Sequence, residues 1–200
     1  MIMLAMLTGL GLSAAAGLNA YIPMLVVGLL DRYTDLVRLP AEFGWLTSGW
    51  AIAGITVLLG AEVVLDKVAV VDSVNDAIQT FVRPAAGGAV FAATDAAERV
   101  DSSSFMHDNP WVGWVLGIVV ALVVHVTKAS VRPVINAGTL GTGAPVVSAV
   151  EDGVSLGMSI VAILAPIVAL IAVLVFGFVA FRLVRKVRAR RRRRRASSST

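Results

Sequence analysis

Glu62, Asp66 and Lys67 end one uncharged stretch of this chain, His125, Lys128 and Arg132 end another, and Glu151 and Asp152 stand just before a third. Carboxylates, ammonium and guanidinium groups and an imidazole placed against apolar segments are the side chains that bind ions, relay protons or hold phosphate. Glu62 and Asp66 lie one helical turn apart, so their carboxylates share a face and repel each other unless a cation intervenes. Lys67 is adjacent in sequence but about 100° away around a helix. A basic residue of the second cluster is therefore an equally good counter-ion. His125 continues the register of Gly113, Gly117 and Ala121, with Lys128 and Arg132 following on roughly the same face. That register turns His125 toward protein rather than lipid, either as an interhelical hydrogen-bond partner or as part of an ion pathway. No HExxH, P-loop or GxSxG signature is present, and no two histidines have metal-ligand spacing. Cysteine is absent, which removes disulfide and thiolate chemistry. No metal or cofactor is expected.

The elements that must position these groups are membrane helices. A mean hydropathy of +0.85 with 58% hydrophobic residues lies far outside the range of a soluble domain. Residues 1–30, 45–61, 111–124 and 154–181 carry no charged side chain. A helical span needs about 20 apolar residues. The inner runs reach that length only by including Glu62 or His125, and a charge at hydrocarbon depth costs about 2.5 to 3.5 kcal/mol. The expected fold is an all-α membrane protein with four main spans at 2–30, 45–65, 111–127 and 154–181. The first is expected to be retained rather than cleaved, because no basic region precedes it and apolarity runs past the small residues at 13–17. Small residues four apart, at Gly9, Ser13 and Gly17, at Gly113, Gly117 and Ala121, and at Gly153 and Gly157, predict close helix packing.

Two connections are unusual. Val70, Val74, Ile78 and Phe81 recur at helical spacing opposite Asp72, Asp76, Gln79 and Arg83, which predicts an amphipathic helix. Lying on the membrane surface is its simpler placement, and packing its polar stripe against other spans is the alternative. The apolar residues 84–94 that follow are too short to span. Residues 133–150 are uncharged but contain Asn136, Gly138, Gly141, Gly143 and Pro145. They predict a Gly-rich broken segment, either an external loop or, as favoured here, a re-entrant one lining a cavity. Val82-Arg83-Pro84 and Val131-Arg132-Pro133 each precede such a stretch, which suggests repeats at 1–98 and 105–181 in inverted orientation. Asn19 and Pro23 interrupt the first span, and Pro166 the last. A helix break beside a polar residue is how transporters build midplane sites, and also how ordinary spans bend.

Ten of the seventeen basic residues lie in the tail at 182–200, which leaves seven against thirteen acids in the membrane domain at 1–181. The tail is expected to be disordered and cytoplasmic, with both termini inside. Arg182, Arg185, Lys186, Arg188, Arg190 and Arg191 are expected to meet anionic lipid headgroups rather than nucleic acid. The excess of arginine over lysine hints at a bacterial genome, hence a bacterial inner membrane. Strict four-span counting puts the Glu62 and His125 clusters at opposite membrane faces, as two mouths of one pathway. Inverted halves would instead join them in one midplane site.

The ordered series Gly17-Leu18-Asn19-Ala20-Tyr21-Ile22-Pro23, Glu62 through Asp66-Lys67 to Asp72, His125-x-x-Lys128-Ala129, Gly141-x-Gly143-x-Pro145-Val146-Val147-Ser148 and Glu151-Asp152 resembles the domain of unknown function 4126 family. The likeness covers roughly residues 5 to 180. It implies an integral membrane protein and supplies no activity. The residues themselves point to a small transporter or channel, with an ionisable pathway through Asn19, Glu62, Asp66, Lys67, Asp72, Asp76, Arg83, His125, Lys128, Arg132, Asn136, Glu151 and Asp152. A non-transporting scaffold that recruits partners through its tail is the alternative, and a lipid-modifying enzyme a third reading. Small-residue stripes permit a homo-oligomer without requiring one.

Overall fold

The computed structural model describes residues 2–66, 69–98, 109, 111–140, 142–175, 177–178, 182 and 185, with side chains throughout except at 2–3, 69–73 and 95–98. Among these residues the chain is helical and contains no strand. Its order is α1 (Ile2–Leu18), α2 (Tyr21–Tyr33), a 3₁₀ helix (Ala41–Thr47), α3 (Gly49–Leu65), α4 (Ala69–Glu98), α5 (Trp111–Thr139), α6 (Ala144–Leu164) and α7 (Pro166–Val175).

Local chemistry sets the boundaries. The Asn19 side-chain oxygen accepts from the amides of Tyr21 and Ile22, at 3.0 and 3.2 Å, so it starts α2 where α1 would otherwise continue. Pro23 follows where a helix needs no amide donor. The side chain of Ser48 caps α3 by accepting from the Ala51 amide. Pro145 occupies the first turn of α6, and α6 ends at Ala165, whose backbone leaves the helical region just before Pro166.

The expected span boundaries are therefore redrawn. The first expected span is two helices broken at Asn19, and the last is divided between α6 and α7. Among the described residues, α5 and α6 are long and apolar enough to cross a membrane. The 3₁₀ helix with α3, bent by 58°, makes a third if taken as one span. Residues 133–150 are not the broken, irregular segment expected, because α5 continues through Pro133 to Thr139 and α6 begins at Ala144. Residues 84–94 likewise continue α4, which runs through Pro84 as one helix.

Helix α1 sits at the centre, packed on α4, α5 and α6, and the α4–α5 contact is the most extensive in the molecule. Two of the three small-residue stripes make these contacts. A β-carbon on Gly17 would lie 2.6 Å from the Ala121 carbonyl oxygen, and one on Gly87 would lie 2.8 Å from that of Gly117. Ser13 donates to the Gly87 carbonyl at 2.9 Å, and Ser155 to the Ala15 carbonyl at 3.0 Å. The third stripe is corrected. A β-carbon on Gly153 or Gly157 would meet open space, and α6 instead buries Ser155, Ser159 and Ala162. Leu12, Ala16, Ala20, Val27, Ala86, Val90, Ala162 and Ala169 form the main apolar core.

Candidate functional site

Helix α4 is inside out in its first half. Val74, Ile78 and Phe81 are exposed, whereas Asn75, Gln79 and Arg83 are buried. The surface placement expected for this amphipathic helix is thereby overturned. Its polar stripe faces the bundle because α3, α5 and α6 bring carboxylates and bases to meet it, and its apolar stripe faces outward as a lipid-facing surface would.

Arg83 stands at the centre, with no exposed surface. Its Nη2 donates to Glu62 Oε1 at 2.7 Å and its Nη1 lies 3.1 Å from His125 Nδ1. A guanidinium carries donors only, so Nδ1 accepts and the imidazole proton sits on Nε2. That Nε2 then donates to Thr80 Oγ1 at 3.0 Å, leaving the Thr80 hydroxyl proton for the Asp76 carbonyl at 2.9 Å. His125 is thus a neutral link between Arg83 and Thr80.

Two arginines clamp the same two carboxylates. Arg83 lies 3.8 Å from Asp66 and 3.7 Å from Asp76, and Arg132 lies 3.1 and 3.6 Å from them. Asn75 donates to the other Asp66 oxygen at 2.7 Å. Arg132 also donates to Glu151 at 2.6 Å. Lys128 Nζ lies 3.0 Å from Glu151 Oε2 and 3.8 Å from Asp66 Oδ2, and it donates to the Leu18 carbonyl at 3.0 Å. Asn19, while capping α2, donates to Asp152 Oδ1 at 2.9 Å. The helix break, α5 and α6 therefore meet at one place.

Ten of the expected site residues come together here: Asn19, Glu62, Asp66, Asp76, Arg83, His125, Lys128, Arg132, Glu151 and Asp152. The opposite-mouth arrangement is corrected, since both charged clusters occupy one enclosed site. Asn136 is half-buried one turn beyond Arg132 and outside this network. The Asp72 side chain lies outside the described residues, as do Lys67, the 99–108 connection and, in the tail, Lys186, Arg188, Arg190 and Arg191. Arg182 stacks over the Phe178 ring at 4.8 Å, and Arg185 is exposed. Sequence reasoning missed Asn75 and Thr80. Asn75 is one turn before Gln79 and two before Arg83, a spacing that could have revealed it.

Among the described residues, five carboxylates (Glu62, Asp66, Asp76, Glu151, Asp152) face three cations (Arg83, Lys128, Arg132), a formal excess of two negative charges. No group of three or more histidine or acidic side chains among them is arranged to hold a metal ion. Glu62 Oε2 and Gln79 Oε1 are buried without a hydrogen-bond partner there.

The model of a family described as a domain of unknown function, DUF4126, matches residues 6–186. No curated protein and no solved structure gives a match.

Proposed function

The chain belongs to the DUF4126 family, a domain of unknown function, and we propose that it is a small membrane transporter or channel whose buried ionic site passes protons or another monovalent cation. One observation carries the reading: among the described residues, five carboxylates against three cations in a single enclosed site. An uncompensated carboxylate is costly away from water and is relieved by a bound proton or cation. Glu62 is the group we assign to that proton or cation, because it is 2% exposed and one of its oxygens is without a hydrogen-bond partner among the described residues.

The reading takes four crossings, with α1–α2 as the first and α6–α7 as the last, and treats residues 1–98 and 105–181 as repeats; inverted halves would require α4 to cross as well. The Arg83-Pro84 and Arg132-Pro133 pairs would be equivalent positions of the halves. In its favour, both arginines reach Asp66 and Asp76. Both termini are assigned to the cytoplasm of a bacterial plasma membrane, and the tail from Arg182 onward to anionic headgroups, on the strength of its ten basic residues. Phosphate handling fits less well, since Arg83, Lys128 and Arg132 each already face carboxylates. A static scaffold is the competing reading, and the density of ion pairs favours it to the extent that such a network also locks a bundle.

The test is ion flux into vesicles containing the purified protein, followed with an internal pH dye and with radioactive sodium. The expected result is pH-dependent flux, abolished or shifted in its pH profile by Glu62→Gln. Unchanged flux in that variant removes Glu62 from the mechanism. Absence of any flux, together with a co-purifying partner lost on deleting residues 182–200, would establish the scaffold instead.

A further inference from the structure

The break between α1 and α2 exposes a carbonyl to a cation. In a continuous helix the Leu18 carbonyl would accept from the Ile22 amide. That amide is taken by Asn19 Oδ1, and the Leu18 oxygen receives the Lys128 ammonium at 3.0 Å instead. Glu151 Oε2 lies 3.0 Å from the same nitrogen and Asp66 Oδ2 lies 3.8 Å from it. A backbone carbonyl at the negative end of a helix, joined by two carboxylates, is a set of hard oxygen donors suited to a small cation. Its occupant here is a single positive charge on a flexible four-carbon stem, buried to 2% side-chain exposure. A second observation points to a cation as well. Among the described residues the site keeps its excess of negative charge with Lys128 in place, and Glu62 Oε2 is buried without a hydrogen-bond partner there.

We propose that the oxygens of Leu18, Asp66 and Glu151 form a monovalent-cation site, which the Lys128 ammonium fills in this state and which a free alkali cation takes when the lysine withdraws. The site rests on the transport reading for its purpose and shares with it the excess of carboxylates, whereas the Leu18, Glu151 and Asp66 oxygens around Lys128 are its own support. Withdrawal would also loosen α6 from α5. These helices touch little elsewhere, and Lys128 and Arg132 are bound to the same Glu151 oxygen.

The wild-type protein tests this without any risk of misfolding. Purified protein is acetylated with an amine reagent in sodium, lithium or potassium chloride, against choline chloride at equal ionic strength. Modification of Lys128 is followed by peptide mass spectrometry, with Lys186 as the internal reference. At least one alkali cation should raise Lys128 labelling several-fold over choline while leaving Lys186 unchanged. Equal labelling in all four salts overturns the exchange. In parallel, Lys128→Met should gain a thermal midpoint that rises with the same alkali chloride and not with choline, and a folded variant without that rise overturns the site. Salt-independent labelling alongside Glu62-dependent flux would remove this site and leave transport standing. Alkali-dependent labelling without flux would do the reverse.

Discussion

The two halves of α4 share a helix but solve opposite problems. From Asn75 to Arg83 the buried face is amide and guanidinium and the outer face is Val74, Ile78 and Phe81. From Ala86 to Ala93 the buried face is alanine, glycine, Val90 and Phe91, packed on α1 and α5. The apolar half is held by close approach, the force available when lipid competes equally for apolar surface. The ionic half is held by charge in a low dielectric, where pairing is strong but each unpaired group is costly. The lesson is a division of labour within one helix. Glycine and alanine fix where α4 lies, and the residues before Pro84 then hold charges that the fixed backbone brings together.

The comparison breaks first at Arg83. Arg83→Met removes the cation shared by Glu62, Asp66 and Asp76, and deleting one partner of a buried ionic network typically costs about 3 to 5 kcal/mol. The variant should show the largest fall in detergent unfolding midpoint of any single change in α4. Adding Glu62→Gln to it should recover part of the loss, because one stranded charge then disappears. A midpoint within error of wild type for Arg83→Met would mean that the ionic half is solvated and the two halves do not differ in kind.

The apolar half breaks through volume. A side chain on Gly87 would run into the Gly117 carbonyl, 2.8 Å from its β-carbon. Gly87→Val should therefore separate α4 from α5 at a cost of about 1 to 3 kcal/mol, typical of overpacking. Its unfolding midpoint should fall less than that of Arg83→Met. A larger fall for Gly87→Val would reverse the ranking and make close packing, rather than charge, the stronger constraint on α4.

Much of this division was legible in the sequence, and the reasons are specific. Charges at the ends of apolar runs are rare enough to mark Glu62, Asp66, His125, Lys128 and Arg132, and the Asn19–Pro23 break followed from proline and amide chemistry. The direction in which α4 faces was not legible, because periodicity defines two stripes without saying which one meets the bundle. Arg83 decides it: a guanidinium that can pair with Glu62 and Asp66 turns inward, and Phe81 is carried outward with it. The same blindness to partners placed the two charged clusters on opposite faces. Counting spans treats each run as straight, whereas α1 stops at Leu18 and α5 carries Arg132 on through Pro133 to Thr139. Glycine content misled at 133–150, where α5 runs on to Thr139 and α6 begins at Ala144. On α6 the spacing of Gly153 and Gly157 carried no packing, since the serines and alanine of another face did that work.

The smallest expected effect tests what lies outside the bundle. Phe81 is 80% exposed on the turn just before Arg83. If that surface meets only acyl chains, Phe81→Ala exchanges one apolar contact with lipid for another and should change the unfolding midpoint by no more than about 0.5 kcal/mol, the usual range for exposed positions. Flux should also persist, since Arg83 and its carboxylates lie on the opposite face of the helix. A loss comparable to that of Gly87→Val would mean that the outer stripe of α4 is packed against protein in the membrane. The stripe of Val74, Ile78 and Phe81 would then be an interface, and a fall in apparent mass on sizing the variant in mild detergent would identify the other side as a second copy of the chain.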